Sequence, residues 1–356
     1  GGATGMIGDP SGKSKERKFL DEKTLINNQN KIQSQFEKFL DFDGEKSASI
    51  LNNKTWFENF NLLSFLREVG KHISVNYMMA KDSVKNRLET GISFTEFSYQ
   101  LIQGYDFYWL WKNKNVKIQF GGSDQWGNIL TGNELIRRIE GGESFALTTP
   151  LITKSDGGKF GKTEDGNVWL DEKRTSPYKF YQFWINVSDE DAAKFIKIFT
   201  LKEEEEIKNL IISHEKEPHL RILQNALADE ITERVHDKQK LDIAKSTSLI
   251  LFGKSKKDDF DDLKEDVMQS LSTAVPCVKI KKEDINSDFK NLLTEITSFE
   301  IFSSKSELIR LIKNNGLSIN KEKISNDEYD ISKNLKFKKY LLIQKGKKNY
   351  TFIIVE

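Results

Sequence analysis

The chain has 356 residues, a formal net charge of +1 and a single cysteine. This length exceeds one ordinary hydrophobic core, so we expect two or three domains. The balanced charge excludes binding of nucleic acid through overall positive charge, so any such surface must be local. One cysteine excludes an internal disulfide and fits a reducing compartment. No apolar run approaches the roughly 20 residues that cross a bilayer.

The chain opens on a glycine-rich loop, GGATGMIGDPSGKS, which lets the backbone come close to a ligand. A nucleotide-binding P-loop would need glycine five residues before Gly12, where the chain has Ile7, so the spacing misses. Lys13, Lys15 and Arg17 still form a cationic cluster suited to phosphate oxygens, although they fit a solvated basic turn as well. Because glycine loops of α/β enzymes follow a strand, we expect further residues of this domain upstream.

Residues 93–129 predict a helix, a strand and a second helix around one crevice. Tyr99, Gln103 and Asp106 fall at i, i+4 and i+7, so their side chains share one helical face. A solvated helix face explains this polar stripe equally well. The next segment, NVKIQF, alternates as a strand does and leads into Gly121-Gly122, and ligands bind where such strands end. Ser123 is the expected cap of the second helix.

Residues 150–170 read PLITKSDGGKFGKTEDGNVWL, a turn-rich loop in which Lys159 and Lys162 flank Phe160-Gly161. Such a loop is able to close over an anionic substrate and bring two positive charges to it. An exposed hairpin tip with ordinary lysines is the competing interpretation.

The rest of the chain has three parts that differ in composition and predicted structure. Residues 177–257 predict charged helices, and because the histidines lack the spacing of a ligand set we predict no protein-bound metal. Residues 254–290 resemble a linker in charge and irregularity. Ser304 and Glu307 then predict a capped helix that Gly316 closes. A hairpin around residues 319–322 is expected to follow, and two strands flank the turn 345–348, Lys-Gly-Lys-Lys. This basic turn suggests contact with RNA phosphates, and plain surface charge explains it equally well.

Together these segments resemble bacterial-type tyrosyl-tRNA synthetases, which are class I aminoacyl-tRNA synthetases. The resemblance covers nearly the whole chain and rests on GGATGMIGDPSGK, SVNYMMAK, ETGISFTEFSYQLIQGYDF, QFGGSDQWGNI, KFGKT and TSPYKFYQFW, in family order. It implies an α/β fold: a Rossmann-like parallel sheet whose first βα unit is missing, an all-helical domain, and a small C-terminal α+β RNA-binding domain. The ranges expected are 1–150 for the catalytic domain, 151–176 for a linker that carries KFGKT, 177–275 for the helical anticodon-side domain, 276–289 for a second linker and 290–356 for the RNA-binding domain.

The resemblance implies L-tyrosine and ATP as substrates, with Mg²⁺ accompanying ATP, and tRNA(Tyr) as the acceptor. Asp106 corresponds to the carboxylate that receives the phenolic hydroxyl, and this family is the usual example of rejecting phenylalanine through a buried acceptor left unpaired. The other tyrosine-binding positions implied are Tyr99, Gln103, Thr4, Asp9, Asn76, Gln119 and Gln125. The ATP-binding positions implied are Gly122, Asp124, Gln125 and Lys162. The catalytic positions implied, set against the pyrophosphate leaving group, are Lys159, Lys162, Thr163, Lys13 and Arg17.

The chain departs from the family in three places. The H-x-G-H signature is absent, and so is the early tyrosine that would share the phenol with Asp106. KFGKT differs from the family signature KMSKS at Phe160, Gly161 and Thr163. We therefore expect an N-terminally truncated chain that does not activate tyrosine as it stands. The resemblance also implies a cytoplasmic homodimer without membrane attachment.

Two alternatives remain open. One is a related class I enzyme for tryptophan, which Asp106 disfavours because a carboxylate on the stripe suits a hydroxyl donor better than an indole. The other is a non-catalytic RNA-binding relative that keeps the fold and the basic tail.

Overall fold

The structure is a computed structural model that describes residues 1–11, 20–87, 91–158, 160–163, 166–326 and 329–356; of 162 and 163 it describes the backbone. The chain divides into two compact units, Gly1–Thr153 and Lys154–Glu356. No helix in these described ranges is long and apolar enough to cross a membrane.

The first unit is built from helices around a parallel pair of strands. Strands β1 (Ile118–Gly122) and β2 (Phe145–Thr149) align Ile118 with Phe145 and Gly122 with Thr149, and the helix between them makes the crossover that a parallel pair requires. This confirms the predicted parallel sheet. The helices and strands are α1 Gly2–Ile7, α2 Glu22–Phe36, α3 Lys54–Phe57, α4 Leu62–Glu68, α5 Val75–Met79, α6 Asp82–Lys85, α7 Phe94–Lys114, β1 Ile118–Gly122, α8 Trp126–Glu140 and β2 Phe145–Thr149.

Helices α7 and α8 pack closely because glycines lie at their contact. A Cβ atom at Gly104 of α7 would lie 3.0 Å from a Thr131 side-chain carbon, and one at Gly132 of α8 would lie 2.7 Å from the ring of Phe107. Glycine weakens a helix interior by roughly 1 kcal/mol, and here it allows the two helices to approach. The buried core beside this contact comprises Val69, Ile73, Met78, Leu101, Phe107, Tyr108, Leu135 and Ile136.

The ends of α7 and α8 follow the sequence with one correction. The Ser93 side chain accepts a hydrogen bond from the Glu96 amide and begins α7, and Asn115, at φ 55°, ends it in the left-handed conformation. The prediction that Ser123 caps α8 is wrong. A 3₁₀ turn spans Ser123–Gln125, and α8 begins after Gln125. The glycine strand therefore leads into a tight turn before the helix.

The second unit begins with the rest of the turn-rich loop 150–170, and a group of helices follows. Phe160 of the loop packs against rings on α9 and α10, with centroids 4.9 to 5.8 Å apart. The partners are Phe183, Trp184, Phe195 and Phe199. The elements are β3 Lys162–Thr163, β4 Gly166–Asn167, α9 Pro177–Ile185, α10 Asp189–Phe199, α11 Glu204–Lys216, α12 Ile222–His236, α13 Lys238–Phe252, α14 Lys257–Asp261 and α15 Glu265–Ala274.

A mixed sheet with short helices forms the end of the chain. Its strand order in the described residues is β5-β9-β8-β6-β7, in which β5 and β9 are parallel and the other neighbours antiparallel. The two predicted hairpins, at 319–322 and 345–348, are confirmed. The linker-like range 254–290 contains helices α14 and α15 and strand β5, and β5 lies within the expected linker 276–289. The elements are β5 Cys277–Ile280, α16 Phe289–Asn291, α17 Lys305–Lys313, β6 Leu317–Ile319, β7 Glu322–Lys323, β8 Tyr340–Lys345 and β9 Asn349–Val355.

Candidate active site

The Asp106 carboxylate is the centre of the candidate site in the first unit. Asn53 Nδ2 donates a hydrogen bond to its Oδ2 at 3.2 Å, and the indole Nε1 of Trp56 donates to its Oδ1 at 3.1 Å. Burial raises the pKa of Asp106 above its ordinary value, while the hydrogen bonds from Asn53 and Trp56 oppose that rise. The carboxylate is therefore a partly desolvated acceptor held in a fixed orientation.

Asn53 connects this carboxylate to the glycine loop at the start of the chain. Its Nδ2 also donates to Thr4 Oγ1 at 3.0 Å, and its Oδ1 accepts a hydrogen bond from the Ala3 amide at 2.8 Å. Asn53 is buried, so these partners satisfy an amide that would otherwise be costly to bury. Helix α1 is thereby held against the face of α7 that carries Asp106.

A second set of hydrogen bonds joins Gln103 to Asp9 through the turn after β1. Gln103 Nε2 donates to Gln125 Oε1 at 3.3 Å, and Gln125 Nε2 donates to Asp9 Oδ2 at 2.6 Å. Asn128 Nδ2 lies within 3.4 Å of Asp9 Oδ1 and 3.3 Å of Ser11 Oγ. The structure thus brings together polar residues from the glycine loop, α7 and the start of α8.

A cavity of about 540 Å³ lies beside these groups. Thr4, Asp9 and Tyr99 contribute polar groups to its lining, and Leu20 and Leu25 contribute apolar surface. Tyr99 is only 7% exposed, so this part of α7 does not face open water. A cavity with an apolar wall and a few fixed polar groups is the usual form of a small-molecule site.

Gly122 ends β1, and Asp124, in the turn that follows, lines a second cavity of about 500 Å³. A Cβ atom at position 122 would lie 2.7 Å from Asp124 Oδ1, so a larger residue would displace that carboxylate. Gln119 points to the opposite face of β1 from the exposed Ile118 and Phe120, and no hydrogen-bond partner is present for its buried Oε1 among the described residues.

Several predicted site residues are not brought into this arrangement. Asn76 is exposed on α5 and does not line either cavity as the described residues define them. Lys13, Arg17 and Lys159 lie outside the described residues. The backbones of Lys162 and Thr163 form β3, which pairs with Asn167 and Gly166.

Three residues of the site, Asn53, Trp56 and Asn128, were not predicted from the sequence. Asn53 and Trp56 lie some 50 residues before Asp106, in the segment LNNKTWF, which has no motif of its own. Asn128 lies within the motif segment QWGNI, but its spacing gave no indication of a contact with Asp9 or Ser11. Contacts across such separations follow from the packing of helices and not from local pattern.

Residues 1–253 match the family of class I tRNA synthetases (W and Y), and residues 266–353 match the C-terminal domain of tyrosine–tRNA ligases of the SYY-like type. The fold and the site therefore define a class I aminoacyl-tRNA synthetase. This family includes both the tyrosine and the tryptophan enzymes, so the similarity to individual relatives must decide between them.

The chain is 54% identical over 353 residues to the tyrosine–tRNA ligase of Cytophaga hutchinsonii, covering 98% of this chain and 83% of that protein. It is 53% identical over 363 residues to the enzyme of the same name from Bacteroides fragilis, covering 100% and 84%. A crystal structure of a C-terminally truncated mitochondrial tyrosyl-tRNA synthetase from Aspergillus nidulans matches with TM-score 0.61 and 30% identity, covering 71% of this chain and 75% of that one. The chain belongs to the tyrosine–tRNA ligase family.

Proposed function

We propose that the site activates L-tyrosine with ATP and transfers the tyrosyl group to tRNA(Tyr). The observation that carries this proposal is the Asp106 carboxylate, which Asn53 and Trp56 hold in a partly desolvated position. A tyrosine hydroxyl adds a donor to this acceptor, whereas phenylalanine would bury the carboxylate without that additional donor. An indole carries its N–H donor on the five-membered ring and not at the far end of the side chain, so the arrangement also favours tyrosine over tryptophan.

The other polar residues fit the opposite end of tyrosine. Tyr99, Asp9 and Thr4 line one cavity, and Gln103 is linked to Asp9 through Gln125. A carboxylate and neutral oxygen acceptors suit the substrate ammonium group. Asn76 and Gln119 are assigned to this site by the sequence resemblance alone.

At the ATP end, we assign the ribose to Gly122 and Asp124, where a glycine lets the backbone approach and a carboxylate accepts a hydroxyl hydrogen bond. Gln125 lies between the two substrates. Mg²⁺ enters with ATP, whose phosphate oxygens are the ligands that this ion prefers.

Activation forms one phosphorus–oxygen bond and breaks another, and transfer forms one carbon–oxygen bond and breaks another. The tyrosine carboxylate attacks the α-phosphate, and pyrophosphate leaves; then a hydroxyl of the terminal tRNA ribose attacks the tyrosyl carbonyl, and AMP leaves. Because the protein need form no covalent bond, positioning and charge neutralisation supply the catalysis. The cations assigned to the leaving pyrophosphate, with Thr163, are Lys13, Arg17, Lys159 and Lys162.

A homodimer in the cytoplasm is the setting that fits this function. Large apolar side chains on the first unit support a subunit contact, since Leu63 and Phe94 are 77% and 75% exposed. Sedimentation velocity should give a dimer mass, and Leu63→Glu combined with Phe94→Glu should shift it toward the monomer. A monomer for the unsubstituted protein would remove the dimer from the proposal.

Replacement of Asp106 by alanine tests the substrate assignment. In the complete gene product, Asp106→Ala should lower kcat/KM for tyrosine in pyrophosphate exchange and narrow its advantage over phenylalanine, because the hydroxyl loses its acceptor. Glu58→Ala, which removes an exposed carboxylate just after α3, is the control and should leave the ratio unchanged.

An unchanged tyrosine-to-phenylalanine ratio in Asp106→Ala would remove Asp106 from this role. If the complete gene product shows no amino-acid-dependent exchange at all, the non-catalytic RNA-binding relative becomes the better description.

A further inference from the structure

The indole of Trp109 stacks on the indole that orients Asp106. The ring centroids of Trp109 and Trp56 are 4.1 Å apart, and the ring planes are inclined by only 3°. Trp109 lies three residues after Asp106 on α7, so both side chains project from the same face of the helix. Trp56 therefore lies between Trp109, which supports its ring, and Asp106, which accepts its N–H.

Helix α3 cannot hold Trp56 by itself. It has four residues, and its N-cap, Asn53, makes no side-chain cap hydrogen bond. A single helical turn is unstable without tertiary contacts. Phe57 packs edge-on against Tyr105 of α7, with ring centroids 5.4 Å apart, and the Trp56–Trp109 stack holds the neighbouring residue. Tyr105 pairs with the rings of Phe57 and Phe60, whereas the ring stacked on the Trp56 indole is that of Trp109.

We propose that Trp109 is a positioning residue for amino-acid selection, which fixes the Trp56 indole so that its N–H orients the Asp106 carboxylate toward the substrate hydroxyl. This inference rests on the proposed function of Asp106. Loss of the stack lets the indole rotate and weakens one of the two hydrogen bonds to Asp106. Binding of tyrosine then suffers, because only tyrosine uses the oriented carboxylate. Phenylalanine offers Asp106 no hydroxyl donor in either case, so its binding changes little.

The test compares variants by the ratio of kcat/KM for tyrosine to that for phenylalanine in pyrophosphate exchange by the complete gene product. Trp109→Leu should narrow this ratio roughly three- to tenfold, the range that a stacked aromatic pair contributes. Trp109→Phe keeps a ring and should restore most of the ratio. Because both substrates are measured on the same variant, a general loss of folded protein does not move the ratio.

Trp111→Leu is the matched control. Trp111 is on the same helix, but its Nε1 donates to the Glu143 carbonyl oxygen at 2.9 Å and its ring packs beside Gly142, away from Asp106. Its replacement should lower stability without changing the ratio. A second readout is the indole N–H resonance of Trp56, identified by its loss in Trp56→Phe. In Trp109→Leu the chemical shift of this resonance should move toward that of a solvent-exposed indole, and the N–H proton should exchange faster with water.

The outcomes separate this inference from the proposed function. A narrowed ratio in Trp109→Leu and an unchanged ratio in Trp111→Leu support the inference. If Asp106→Ala removes discrimination while Trp109→Leu leaves both the ratio and the Trp56 resonance unchanged, the positioning role is overturned and the function of Asp106 stands. If Asp106→Ala itself leaves the ratio unchanged, both are overturned.

Discussion

Asp106 and Glu307 are carboxylates whose surroundings shift their pKa values in opposite directions. Burial dominates at Asp106 and raises its pKa. Hydrogen bonds dominate at Glu307, where Lys345 Nζ lies 2.8 Å from Oε1, and the Ser303 hydroxyl and amide donate to Oε2. They lower the pKa of Glu307 to about 2, with the bond from Lys345 as the largest cause. The first arrangement suits an acceptor for a neutral donor, and the second suits a permanent charge that supports a helix end.

The lowered pKa of Glu307 predicts acid-sensitive stability of the C-terminal region. The carboxyl has a lower pKa folded than unfolded, so its contribution is fully present above the unfolded value of roughly 4.5 and is lost as the pH falls through about 2. Glu307→Gln should cost up to about 1 kcal/mol of unfolding free energy at pH 7, the upper value for a solvent-accessible ion pair. The difference from the unsubstituted protein should shrink at pH 3, measured by urea unfolding.

Lys345→Met is the companion variant, because it removes the largest cause of the shift and leaves the carboxyl in place. The pKa of Glu307, followed by NMR titration of its side-chain carbon, should then rise toward the ordinary range. A stability difference between Glu307→Gln and the unsubstituted protein that stays constant from pH 7 to pH 3 contradicts the linkage.

At the scale of elements, local pattern predicted the central helix and the terminal hairpins well. The cap at Ser93 and the left-handed residue Asn115 both lie in the sequence as recognisable end signals of α7. Strand β5 was not predicted because four residues after a proline carry little pattern, and their partners in β9 lie 75 residues later. A parallel pairing of such distant segments follows only from the packed core, where Val278 and Ile280 are buried.

The buried ion pair between Arg87 and Glu96 holds the start of α7 to the end of α6. The guanidinium contacts both carboxylate oxygens, at 3.1 and 2.8 Å, and the two side chains are 8% and 2% exposed. Removing one member of a buried pair typically costs about 3–5 kcal/mol, because the other charge stays buried without compensation. We expect Glu96→Ala to destabilise the first unit by this amount, measured by urea unfolding.

The matched control replaces both charges. Arg87→Met combined with Glu96→Leu removes the pair without leaving an isolated charge, so it should be much less destabilising than Glu96→Ala alone. If the double variant is as unstable as Glu96→Ala, then the loss reflects packing and not an uncompensated charge.

At the scale of the whole molecule, the C-terminal sheet carries the basic turn that suggested RNA contact. Lys345 is engaged with Glu307, with the Ile301 carbonyl oxygen and with the Phe302 ring, whereas Lys347 and Lys348 are exposed. Deletion of residues 290–356 would remove β9 and leave β5 without its parallel partner, so it would disturb the fold as well as the turn. Charge substitutions in the turn test RNA contact more directly.

We predict that Lys347→Ala combined with Lys348→Ala weakens tRNA charging while tyrosine-dependent pyrophosphate exchange is retained. If both lysines contact phosphates, the salt dependence of tRNA binding should fall by roughly 1.5 in the slope of log K against log salt. Lys46→Ala combined with Lys114→Ala removes two exposed lysines of the first unit and serves as the charge control. Equal loss of charging and exchange in the turn variant would refute an RNA role for the turn.

The sequence by itself determined the family, the helical face of Tyr99, Gln103 and Asp106, and the glycine-ended strand that follows it. These features depend on residues close together in the chain, where helical and strand periodicity place side chains. Only the tertiary structure decided that Tyr99 is buried and that Gln103 and Asp106 are partly buried, which ends the solvated-face alternative for Tyr99. It also brought Asn53 and Trp56 to Asp106, since hydrogen bonds between distant segments form only where packing holds those segments together.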